Sequence, residues 1–146
     1  MRSENMIDLA KIKTLIVDDH FLARQFMSGI LSEYHITRME AAEDGMDARN
    51  LIEDAHKKGD PFNIVFLDWS MPRLNGLEVL RYFRARPEYA STAFIMVTAE
   101  SDQDKIMTAI KAGATAYIIK PITKIAIAQK LKDLMGWLEK HQAKRA

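Results

Sequence analysis

Four short apolar runs each end at chemically capable side chains. Leu15-Ile16-Val17 stops at Asp18-Asp19, Ile64-Val65-Phe66-Leu67 at Asp68, Phe94-Ile95-Met96-Val97 at Thr98, and Tyr117-Ile118-Ile119 at Lys120. Three carboxylates, a hydroxyl and an ammonium form a coherent set if the fold brings them together. Unscreened carboxylates a few ångströms apart repel strongly. A hard divalent cation such as Mg²⁺ relieves that repulsion, because it takes oxygen ligands, keeps several waters and recruits phosphate oxygens. Lys120 and Thr98 then offer a cation and a hydroxyl donor to the oxygens of a phosphoryl group. An aspartate so positioned and charge-compensated, here Asp68, is a competent phosphoryl acceptor and yields an acyl phosphate. Taken singly these residues have plainer readings: an Asp of the first pair caps a helix, Asp68 merely ends a buried run, Thr98 is a cap, and Lys120 is an ion-pair partner. Their convergence is what favours the chemistry.

Convergence depends on the elements that carry them. Short β-branched runs separated by segments of helical period read as buried strands of a parallel sheet, whose ligands sit outside the carboxyl ends of the strands. After the first run, Phe21, Leu22, Phe26, Ile30 and Leu31 recur at helical spacing. A weaker strand at Ile36 to Ala41 carries Arg38 and Glu40 and so belongs at an edge. A second helix spans Gly45 to His56 with Ala48, Leu51, Ile52 and Ala55 inward, stopped by Lys57-Lys58-Gly59-Asp60-Pro61. A third opens near Gly76 with Leu77, Leu80 and Phe83 inward. The fourth covers Asp102 to Ala112 with Ile106, Ala109 and Ile110 on one face, and Gly113 ends it. The fifth runs from Thr123 into Lys140 on Ile127, Leu131, Leu134 and Leu138. Five βα units with short, right-handed crossovers predict an α/β fold: a doubly wound five-stranded parallel sheet, order 2-1-3-4-5, with five helices.

The chain has 146 residues, with 21 basic and 20 acidic side chains and a formal charge of +1, so no bulk field draws in a nucleic acid or an anionic membrane. It contains no cysteine, which excludes disulfides and thiolate metal sites. No run approaches the ~20 apolar residues of a membrane span, and no signal-like segment opens the chain. The default is a cytoplasmic protein with one domain at residues 13–140, a lead-in at 1–12 in which Ile7, Leu9 and Ala10 pack back, and a basic tail at 141–146.

Val17-Asp18-Asp19, Leu67-Asp68-Trp69-Ser70-Met71-Pro72 with Gly76, Val97-Thr98-Ala99 and Tyr117-Ile118-Ile119-Lys120-Pro121 together resemble the signature of the response-regulator receiver domain, in its stand-alone CheY-like form. The resemblance covers about Lys13 to Leu138 and implies a flavodoxin-like fold. It implies that Asp68 is the phosphoacceptor and that Asp18 and Asp19 hold Mg²⁺, Asp19 more directly, with Asp68 and the Ser70 backbone carbonyl. Thr98 and Lys120 would bind the phosphoryl oxygens, and Lys120-Pro121 is a candidate cis peptide. Ser70 and Glu100 occupy the positions that tune phosphate lifetime. Trp69 is bulkier than the usual aliphatic residue and is expected to pack under the third helix.

As a switch, the resemblance implies that Thr98 moves toward the phosphate and Tyr117 turns inward. The responsive face is then the fourth helix, fifth strand and fifth helix, where Lys105, Lys111, Lys124 and Lys130 mix with Met107 and Ile125. A histidine kinase or histidine phosphotransfer protein is expected to dock near Phe21, Leu22 and Gln25, and a downstream protein on the responsive face. The expected form is a monomer that catalyses only its own phosphoryl uptake and loss. With only one helix and the basic tail after Pro121, the expected role is a diffusible relay of a two-component system, of chemotaxis or motility type. The alternatives are a phosphorelay intermediate or allosteric regulator of another signalling protein, and a receiver-like module that is never phosphorylated. A haloacid-dehalogenase-type phosphatase would place a second aspartate where Ser70 stands. A flavin binder would want a phosphate cradle where Asp18-Asp19-His20 stand.

Overall fold

The computed structural model describes residues 7–99 and 102–145, with side chains as far as 141. Its strands are β1 (Lys13–Val17), β2 (Arg38–Ala42), β3 (Ile64–Asp68), β4 (Ala93–Thr98) and β5 (Ala116–Ile119), all parallel in the order β2-β1-β3-β4-β5. The helices are α1 (Phe21–Glu33), α2 (Gly45–Lys57), α3 (Gly76–Arg84), α4 (Gln103–Lys111) and α5 (Lys124–Arg145). This is the doubly wound sheet that the alternation of apolar runs and helical segments predicts.

The apolar runs alternate faces, as strand geometry requires. Leu15, Val17, Val65, Leu67, Phe94 and Met96 meet Ile52, Leu80, Phe83 and Ala109 on one side of the sheet. Ile16, Phe66, Ile95 and Val97 meet Ile30, Leu31, Ile127, Leu131, Leu134 and Leu138 on the other. Both faces are covered, so the central strands are apolar throughout. The lead-in packs back in part, as a short 3-10 turn at Leu9–Lys11 with Ile7 and Leu9 against the second cluster; Ala10, expected inward, is exposed on the outer side of that turn.

Two helices depart from the stripes read off the sequence. On α1, Met27, Ile30 and Leu31 are buried, whereas Phe21 is 61% and Leu22 78% exposed. That helix carries more apolar residues than one sheet-facing stripe accommodates, and the surplus faces outward. On α4 only Ala109 is buried, and Ile110 is 45% exposed instead of facing the sheet. Smaller differences are Val79, a core residue of α3, and the extension of α5 to Arg145. The edge strand begins at Arg38; Ile36 precedes it and is fully buried.

Candidate functional site

Strand register alone brings the acidic residues together. Val17 pairs with Leu67, so the next residues, Asp18 and Asp68, leave neighbouring strands side by side. Thr98 pairs with Ile119, and the Lys120 N–H donates to the Thr98 carbonyl at 2.8 Å, which sets Lys120 at the same edge. Lys120 Nζ lies 3.1 Å from Asp18 Oδ2 and 3.4 Å from Asp68 Oδ1. Asp18 and Asp68 are each only 5% exposed, and Thr98 is buried. The Lys120-Pro121 bond is cis.

Burial, and then the charge of Asp18, push the Asp68 carboxyl above the usual carboxylate range, against the pull of Lys120. Burial alone would lower the Lys120 ammonium, but the charges of Asp68 and Asp18 outweigh it and hold that group above its ordinary value. The cluster thus has more negative charge than its one lysine neutralises. Ligand atoms of Asp18, Asp19, His20 and Asp68 all lie within 4.8 Å of one another. Such a donor set fits a divalent cation.

The loop after β3 is shaped by α3 and α2. Gly76 opens α3 so close to Asp68 that a Cβ there would sit 2.3 Å from the Asp68 carbonyl oxygen. Asn75 and Glu78 form a reciprocal capping box on α3, the Glu78 N–H donating to Asn75 at 2.8 Å and the Asn75 N–H to Glu78 at 2.9 Å. Arg73 sits at a φ of 69° and donates to both carboxyl oxygens of Asp44, at 2.9 and 3.0 Å, and to Asp47 at 3.0 Å. Burial works against the Asp44 carboxylate, yet the Asp47 N–H and the Arg73 guanidinium hold it below the usual range. This clamp ties the Ser70-bearing loop to the start of α2. Ser70 is exposed and lines, with Asp19, Trp69, Asn75 and Lys105, a cavity of about 480 Å³ beside the cluster.

Trp69 is buried in the cluster that includes Val79 and Leu80 of α3, as its bulk suggests, and Lys105 Nζ stands 5.1 Å above its ring. Tyr117 is half-buried against the same cluster. Glu100 lies outside the described residues. Neither Asp18 nor Asp19 caps α1; Asp18 Oδ1 accepts the His20 N–H at 2.9 Å, and His20 caps without a side-chain bond. Asp102 caps α4 through the Asp104 N–H at 2.8 Å, so no cap role falls to Thr98 there. Motif reading gave no site role to His20, to Arg73 or to Arg24, which donates to the Asp18 carbonyl at 2.7 Å, and it placed Lys105 on the responsive face without its contact over Trp69. Only His20 carried a signal, by standing next to the Asp pair.

Fold, strand-end cluster and motif order together define a receiver domain. A family model for the response regulator receiver domain matches residues 14–132, and the chain belongs to that family. More particularly, it is 34% identical over 125 residues to a chemotaxis protein CheY homolog of Campylobacter jejuni, covering 86% of this chain and 93% of that protein. Its backbone is similar to the chemotaxis protein CheY4 of Vibrio cholerae, with a TM-score of 0.74 and 28% identity over 84% of this chain and 98% of that one. A CheY-like receiver from Methanospirillum hungatei has the same TM-score of 0.74 and 28% identity, over 88% of this chain and 97% of the other. Among the described residues, no helix is long and apolar enough to cross a membrane.

Proposed function

We propose that this receiver takes a phosphoryl group onto Asp68 from a histidine kinase or histidine phosphotransfer protein and signals by binding another protein. The observation that carries this reading is Lys120 Nζ, poised within 3.4 Å of both Asp18 and Asp68 at adjoining strand ends. An Asp68 oxygen attacks phosphorus, the phosphorus–nitrogen bond of the phosphohistidine breaks, and its electron pair stays on the departing nitrogen of the donor's imidazole, which leaves neutral because its other ring nitrogen already carries a proton. Asp18, Asp19, Asp68 and the Ser70 carbonyl would hold Mg²⁺. The cation, when bound, neutralises charge on the attacking and phosphoryl oxygens. Lys120 and Thr98 then take the oxygens of the acyl phosphate, and Lys120 exchanges its contact with Asp68 for one with the phosphate. Ser70 and Glu100 set how readily water removes it.

Phe21 and Leu22, exposed beside Asp18-Asp19, supply an apolar seat for the phosphodonor protein, with the polar Gln25 at its edge. Met107, Ile110, Ile119 and Ile125 expose apolar surface on α4, β5 and α5, the face through which Thr98 and Tyr117 pass the change to a target. Names of relatives favour a chemotaxis role; in this reading the protein acts as a monomeric cytoplasmic messenger that catalyses only its own phosphoryl uptake and loss. The test is intact mass after incubation with acetyl phosphate, with and without Mg²⁺, for the wild type and Asp68→Asn. One phosphoryl adduct that requires both Mg²⁺ and Asp68 is expected. An adduct on Asp68→Asn, or one formed equally well without Mg²⁺, contradicts the reading.

A further inference from the structure

Lys105 is a cation that the fold does not account for. It stands in the first turn of α4, where the helix dipole disfavours positive charge, and it is exposed. Among the described residues no carboxylate pairs with its ammonium; Nζ rests instead 5.1 Å from the centre of the Trp69 ring. Trp69 directly follows Asp68 in the chain. Lys105 also lines the cavity of about 480 Å³ that is walled by Ser70 and by Asp19, a member of the acidic cluster. One cavity thus joins the acidic cluster to a cation that no other contact uses.

Phosphoryl transfer is in line: the attacking Asp68 oxygen enters on one side of phosphorus and the leaving group departs on the other. Donors differ in what departs. A phosphohistidine releases a neutral imidazole. In an acyl phosphate the bond between phosphorus and the bridging oxygen breaks, the electron pair stays on that oxygen, and a carboxylate leaves without any proton moving. Its negative charge develops close to carboxylates that already repel it. We propose that the cavity beside Asp19 seats this leaving carboxylate and that Lys105 is its counter-charge, so that residue 105 sets a preference for small acyl phosphates over donors with a neutral leaving group. The ammonium gives up its contact with the indole face, a weak one at an exposed site, for a charge-assisted hydrogen bond to the departing oxygen. Between turnovers the Trp69 ring keeps it parked at the cavity. The inference rests on Asp68 being the phosphoacceptor of the proposed function; it adds a class of small-molecule donor and the residue that selects it.

Time courses of intact mass at saturating Mg²⁺ give second-order rate constants for adduct formation from acetyl phosphate and from phosphoramidate, whose leaving ammonia is neutral. The ratio of the two constants is the readout, because a general loss of fold, metal or acceptor geometry lowers both alike. Lys105→Met is expected to lower the ratio of acetyl phosphate to phosphoramidate about tenfold, and Lys105→Arg, which keeps the charge, to hold it within about twofold of the wild type. The loss in Lys105→Met should persist at about 1 M salt, where the screening length falls to about 3 Å and a direct contact survives while a long-range field does not. A ratio that Lys105→Met leaves unchanged, or a loss that disappears at high salt, would overturn the proposal and leave Asp68 as the acceptor. If neither donor adds a phosphoryl group to the wild type, the phosphoacceptor reading falls and the Lys105 proposal with it.

Discussion

Helices α3 and α4 flank the same half of the sheet and have the same length, yet they are held very differently. α3 buries Gly76, Val79, Leu80 and Phe83 and begins with a reciprocal capping box. α4 buries Ala109 alone and leaves Met107 and Ile110 exposed. At its C-terminal end α3 is also pinned to the loop before β5. Arg84 donates to the carbonyls of Gly113, Tyr89 and Thr92 at 2.8–2.9 Å and to the Thr115 hydroxyl at 3.0 Å. Burial pushes that guanidinium down to about 10. The helix that follows Asp68 is therefore fixed at both ends, while its neighbour rests on one small side chain. Elements with few buried contacts open at the lowest free energy, and moving parts are drawn from them. A rigid seat for Asp68 beside a loosely seated helix is the arrangement a phosphorylation switch needs.

The contrast breaks most readily at Phe83, which is fully buried and packs its ring 4.7 Å from Tyr89 and 5.9 Å from Phe94. Phe83→Ala is expected to lower unfolding stability by about 3–5 kcal/mol in urea titration. Next comes Gly76→Ala, whose added Cβ presses on the Asp68 carbonyl. It should cost about 1–3 kcal/mol and slow phosphoryl uptake from acetyl phosphate, since the acceptor itself is displaced.

Asp68→Asn sharpens the comparison from the side of charge. A carboxyl whose folded pKa is raised binds a proton more tightly when folded, so the wild type loses stability as pH rises from about 4, the unfolded value, through the folded value. In metal-free buffer Asp68→Asn should therefore melt above the wild type at pH 7, and the gap should close as pH falls toward 4. Equal melting temperatures throughout would show that Asp68 carries no such burden. The smallest effect is expected at α4, where Ile110→Ala should change stability by less than about 0.5 kcal/mol. A loss as large as that of Phe83→Ala would mean that α4 is as firmly seated as α3.

Much of this was legible in the sequence, for physical reasons. Runs such as Ile64 to Leu67, short, β-branched and set between segments of helical period, read as buried strands, and their register places whatever follows them at one edge, so Asp18, Asp68 and Lys120 meet as expected. Hydrophobic period was less informative about α1 and α4. An apolar stripe has the same spacing whether it faces the sheet or another protein, and Phe21, Leu22 and Ile110 turn outward. Side-chain contacts that reach across the chain had no sequence signal at all. Arg73 with Asp44, and Arg84 with the Gly113 carbonyl, join segments far apart in the chain that no motif links. His20 was visible as a residue, but its approach to both Asp18 and Asp19 was not, because its ring direction depends on the turn that Asp18 makes with its own backbone neighbour.

The central claim is that charge added at the rigid seat is expressed in the loosely held helix. Amide hydrogen exchange followed by mass spectrometry, with and without acetyl phosphate and Mg²⁺, reads both regions in one experiment. Phosphorylated protein should show altered protection across α4 and β5, while α3 amides around Val79 to Phe83 keep the slow exchange they have in the unmodified chain. Stoichiometric phosphorylation that leaves α4 and β5 unchanged, or that alters α3 as much as α4, would contradict the account.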